Sequence, residues 1–65
     1  MTLSLRQQQV LRALWDGLSV KEIAGRLGIQ PMTVSQHLDQ ARRSNGARST
    51  VALIRRCVQA GVLTP

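Results

Sequence analysis

The stretch Gly17-Leu18-Ser19-Val20-Lys21-Glu22-Ile23-Ala24-Gly25-Arg26-Leu27-Gly28-Ile29-Gln30-Pro31-Met32-Thr33-Val34-Ser35-Gln36-His37-Leu38 decides the fold of this chain. Ile23, Ala24 and Leu27 recur at helical spacing, and Val34, Leu38 and Ala41 do so again further on. Ser19 followed three residues later by Glu22 is a capping-box pattern that opens the first series. Pro31 suits the first position of the second, where its missing N–H is unpaired anyway. Gln30 before it is a poor N-cap. The turn between, Leu27-Gly28-Ile29-Gln30, is too short for loosely joined helices. A turn of that length containing Gly sets two helices at a steep angle, as a helix-turn-helix. Ala24 is small where the helices must approach, and Gly28 follows where the backbone must turn left-handed. Val34 and Leu38 then face back onto the first helix. The competing arrangement is an ordinary helical hairpin with Gly at its C-cap.

The flanking sequence reads the same way. Leu3, Val10, Leu11, Leu14 and Leu18 form one helical series, and Val51, Ile54 and Val58 another. Ser4 with Gln7 repeats the capping box, and Ser49 can cap the last helix. Gly17 and Gly46 fall just after periodic segments. These signals predict four helices near residues 4–16, 20–27, 31–44 and 49–60, joined by short connections. The expectation is an all-α, four-helix bundle containing a helix-turn-helix, one domain over residues 1–65. Gly25, inside the second helix, costs about 1 kcal/mol relative to Ala, and close packing is the only reason the sequence offers for it.

Composition narrows what such a domain can do. The chain has 65 residues, with nine Lys and Arg against three Asp and Glu, for a formal net charge of +6. A chain this short buries only about 60% of its unfolded surface. One cysteine excludes a disulfide framework. One Cys, one His and three carboxylates leave little for a zinc site. No apolar run approaches the roughly 18 residues of a membrane span, and no signal-peptide pattern appears. The expectation is a soluble cytoplasmic module with no cofactor, no bound metal and no membrane association. Its positive charge favours a polyanionic partner.

On helix 31–44, Val34, Leu38 and Ala41, with His37 beside them, cluster on one side at about 100° per residue. Met32, Ser35, Gln36, Asp39, Gln40 and Arg43 cover the other. That polar outer face suits insertion into the major groove of double-stranded DNA. Gln36 can pair bidentately with an adenine edge, Asp39 can accept from a cytosine amino group, and Met32 can meet a thymine methyl. Lys21, Thr33, Arg43 and Arg48, with Arg42, are the candidates for phosphate contact. Thr33 lies in the first helical turn, where its hydroxyl and nearby N–H groups can meet an anion.

The last helix carries a wider apolar surface. Val51, Leu53, Ile54, Cys57, Val58, Ala60 and Val62 spread over roughly 200°, about twice the stripe that one core requires. One side covers the bundle, and the other needs a partner. A second copy is the natural one, since two-fold dimers are the commonest oligomers and DNA half-sites are often symmetric. Val51, Ile54, Arg55, Val58 and Val62 form that expected homodimer interface.

The strings Leu3-Ser4-Leu5-Arg6, Gly17-Leu18-Ser19-Val20-Lys21-Glu22-Ile23-Ala24, Leu27-Gly28-Ile29, Thr33-Val34 and His37-Leu38 resemble the LuxR/GerE-type helix-turn-helix domain. The resemblance continues weakly through Gly46-Ala47-Arg48-Ser49 and covers essentially the whole chain. It implies a tetrahelical DNA-binding domain of bacterial transcription regulators, with the third helix in the major groove and the fourth in dimerisation. It places base reading on Ser35, Gln36 and Asp39, and phosphate contact on Lys21 and Thr33. The chain also departs from the pattern. Ser35 and Asp39 stand where basic or neutral polar residues are common, Thr50 where an arginine meets the backbone, and Asn45 where leucine is usual. Gln7 and Gln9 replace glutamates.

Nothing here points to catalysis. His37 has no adjacent base and reads as a packing residue, Cys57 as a buried inert thiol, and Trp15 as packing at the core edge. The expected function is sequence-specific DNA binding and regulation of transcription by a homodimer, with RNA polymerase or another regulator as a further partner. The alternative is an interaction module, an antiactivator that pairs with another helix-turn-helix regulator through its last helix.

Overall fold

A computed structural model of the chain describes residues 1–64. The described residues form four helices: α1 (Leu5–Trp15), α2 (Val20–Leu27), α3 (Pro31–Ser44) and α4 (Thr50–Gln59). The bounds match the expected ones once the caps Ser4, Asp16, Ser49 and Ala60 are set aside.

Local chemistry accounts for each start. The Gln7 N–H donates to Ser4 Oγ at 3.0 Å while the Ser4 N–H donates back to Gln7 Oε1 at 2.9 Å. Glu22 and Ser19 do the same on α2, at 3.2 and 2.9 Å. Hydrogen bonds from the Ser19 backbone and side chain hold the Glu22 carboxyl below the usual carboxylate range. The Ala52 N–H donates to Ser49 Oγ at 3.1 Å. Gln30 gives α3 no side-chain cap, as its chemistry suggests, and Pro31 opens the helix instead.

The turn between α2 and α3 rests on Gly28, which adopts φ 69°, ψ 33°. This left-handed conformation lets the Ile29 N–H reach back to the Ala24 carbonyl at 3.0 Å and close α2. α3 then packs against each of the other three helices. Val10, Leu11, Ile23, Val34 and Leu53 are fully buried, with Ala24, Leu38, Ala41, Ala47 and Cys57 around them. The core is small and almost wholly aliphatic. Trp15 sits at its edge, its indole N–H donating to the Thr64 carbonyl at 3.3 Å.

Three features differ from the sequence reading. A Cβ added at Gly25 would meet nothing within 4 Å, so close packing does not explain that glycine. Leu63 is a core residue, buried to 2% exposure. It reaches the core because α4 stops at Gln59 and Gly61 turns the chain at φ 76°. The Val62 and Leu63 N–H groups both donate to the Cys57 carbonyl, at 2.8 and 3.3 Å. That turn ends the helical register in which Val62 was expected to extend the face of Val58.

Asn45, where the family resemblance expects leucine, ties the N-terminal segment to α3. Its Oδ1 accepts from the Thr2 N–H at 2.8 Å, and its Nδ2 donates to the carbonyls of Thr2 and Ala41 at 2.9 and 2.8 Å. Arg56 on α4 donates to the Asn45 carbonyl. One carboxamide thus joins the N-terminal segment to the end of α3, and its backbone carbonyl adds a link to α4.

Candidate nucleic-acid interface

With Val34, Leu38 and Ala41 buried, helical geometry sets Met32, Gln36, Asp39 and Arg43 along the opposite line of α3. Met32 is 71% exposed, an apolar side chain held out in solvent at the start of the helix. Ser35, Gln36 and Gln40 are exposed, and Asp39 is half-buried. The five proposed base-reading residues therefore share one accessible strip. His37 is half-buried at its flank.

Asp39 is held by two arginines. Arg42 Nη2 donates to Asp39 Oδ1 at 2.8 Å, and Arg43 Nη2 lies 2.9 Å from Asp39 Oδ2. The Arg42 hydrogen bond, aided by the charge of Arg43, keeps the carboxyl below its ordinary range. Arg42 is further tied by a 3.1 Å bond from Nη1 to the Ala47 carbonyl. The single acid of α3 is thus neutralised within the protein.

The cations of the site come from three elements. Lys21 is exposed near the start of α2, and Arg48 is exposed just before α4. Arg43 is exposed on α3 but engaged with Asp39. Thr33 is half-buried, and its N–H donates to the Gln30 carbonyl at 3.0 Å. With Pro31 lacking an N–H, the opening of α3 has fewer free backbone donors than its position suggested. The Met32 N–H and the Thr33 hydroxyl are the groups left there for an anion.

On α4, Leu53 and Cys57 point into the core. Burial pushes the Cys57 thiol up, and its sulfur sits 3.6 Å from Met1 Sδ, which suits an inert packing residue. Val51, Arg55 and Val58 lie on the opposite side, exposed, with Ile54 half-buried at the margin. Val51 is 69% exposed. Val62 is not part of this face. It lines a separate groove of about 440 Å³ between α1, α2 and the C-terminal turn, with Leu5, Ala13, Ile23 and Leu27. No local pattern announces that groove, because it depends on the turn at Gly61.

Among the described residues no helix is long and apolar enough to cross a membrane. The family described as GerE, bacterial regulatory proteins of the luxR family, matches residues 1–57. The transcriptional regulatory protein UhpA of Escherichia coli (strain K12) is 41% identical over 54 residues, which is 83% of this chain and 28% of UhpA. A chain in the crystal structure of the phage VqmA-DPO complex superposes with a TM-score of 0.84 at 32% identity. That match covers 95% of this chain and 28% of the other. The chain therefore spans a little over a quarter of the length of either relative.

Proposed function

The chain belongs to the luxR family of bacterial regulatory proteins, and from that membership we propose that it binds double-stranded DNA sequence-specifically and regulates transcription, with α3 in the major groove. The observation that carries the reading is the exposed strip of α3, polar beyond Met32 at its start and opposite a buried stripe. An α-helix with its side chains is about 10–12 Å across, and the major groove is about 12 Å wide. In this reading Gln36 pairs with an adenine edge, Ser35 and Gln40 bond to base edges beside it, and Met32 meets a thymine methyl. Asp39 accepts from a cytosine amino group. A carboxylate has about four acceptor sites, so Asp39 can take a base while Arg42 stays bound to Oδ1. Lys21, Arg43, Arg48 and the Thr33 hydroxyl position the domain on phosphates.

The outward face of α4 supports pairing with a second copy on DNA. Val51, Ile54 and Val58 present apolar surface that the bundle does not cover. Two domains paired there would meet two half-sites of a symmetric operator. Selection of binding sites from a randomised duplex pool tests both parts. A recovered motif with two-fold symmetry supports them, and no motif at moderate salt overturns the reading.

One observation favours the second reading, an interaction module that pairs with another regulator. Arg55 is an exposed cation within the apolar face of α4, and the three acids of the chain lie elsewhere: Asp16 after α1, Glu22 on α2 and Asp39 on α3. A partner with a carboxylate opposite Arg55 fits that face better than an identical copy. Under this reading, substitution of Gln36 leaves activity intact.

A further inference from the structure

We infer that Asp39 determines specificity by restraining Arg43, so that the arginine reaches the DNA backbone only where the base sequence engages the carboxylate. The inference rests on the groove reading above. Its basis is the arrangement of three side chains on α3. Arg42 is a brace: its two terminal nitrogens are bound to Asp39 Oδ1 and to the Ala47 carbonyl, and its side chain is only 28% exposed. The brace orients the carboxylate so that Oδ2 takes Arg43, whose side chain is 73% exposed and has no other ion-pair partner among the described residues. Asp39 is the single carboxylate on α3.

Non-specific binding to DNA comes from cations that release counterions from phosphates, and it is blind to sequence. On a random duplex, Arg43 must abandon Asp39 to reach a phosphate, and a carboxylate left with Arg42 alone then faces a polyanion. Arg43 therefore adds little to non-specific affinity. Where a base offers an amino hydrogen to Asp39, the carboxylate gains a new partner and Arg43 is released to the backbone. The pair weakens binding to wrong sequences more than to the right one.

The test measures affinity against salt for the wild-type chain and for D39N, R43Q, the double variant and D16N, each on a random duplex and on the selected site. D39N should tighten random-duplex binding about five- to ten-fold at 0.1 M salt, steepen the log–log salt slope by about 0.9, and lower the specific-to-random ratio. R43Q should leave the random-duplex slope unchanged in the wild-type background and flatten it by about 0.9 in the D39N background. D16N alters net charge equally, on an acid paired with Arg12 away from α3, and should change random-duplex affinity by less than about two-fold. An unchanged slope in D39N overturns the inference, as does an equal effect of D16N. R43Q alone gives a check that leaves the Arg42 brace intact: a flattened random-duplex slope in that variant also overturns it. If the wild-type chain binds no duplex at low salt, the groove reading itself has failed.

Discussion

The Asn45 carboxamide and the Thr2 backbone exchange two hydrogen bonds across 43 residues of sequence, at 2.8 and 2.9 Å. A third, to the Ala41 carbonyl, fixes the side chain against α3. The contact keeps the N-terminal segment over the end of α3, and Met1 meets Cys57. Asn45→Ala removes all three bonds. At about 0.5–1.5 kcal/mol net for each, reduced by partial exposure, the loss should be about 1–2 kcal/mol. Thermal denaturation should show the midpoint falling by roughly 7–15 °C for a domain of this size.

Gly25 gives a change of opposite sign. It lies in α2 with open space where a Cβ would stand. Gly25→Ala should therefore stabilise the domain by about 0.5–1 kcal/mol, through helix propensity and a less flexible unfolded chain. Denaturant unfolding should show a higher midpoint with an unchanged slope.

What the sequence made legible was local. Both capping boxes, the Ser49 cap and the turn at Gly28 follow from residues within a few positions of each other, and periodicity then fixed the core stripe of α3. Misreadings arose where a local rule was carried past its range. Extending the α4 period puts Val62 beside Val58, but the turn at Gly61 ends that register, and Leu63 lies outside any periodic run. The Asp39 ion pairs were available in principle, since arginines three and four residues after an acid on a helix are within reach of it. The contact of Asn45 with Thr2 was not, because nothing local links residues 43 positions apart.

The α4 face yields a separate expectation. Val58 is 39% exposed in the single chain, so Val58→Glu should fold normally. In a paired interface it would bury a charge. Affinity for a duplex with two half-sites should fall about 100-fold, towards that for a single half-site, with the single-site affinity unchanged. Equal affinity of both proteins for the two-site duplex would exclude pairing through this face.

Base reading by α3 stands or falls on Gln36. The measurement is the affinity of Gln36→Ala for the selected site and for a random duplex at one salt concentration, with helical content checked by circular dichroism. Loss of a bidentate base contact is worth about 1–3 kcal/mol. Selected-site affinity should fall at least about ten-fold while random-duplex affinity stays within about two-fold. A variant that folds and binds both duplexes as the wild-type chain does would contradict it.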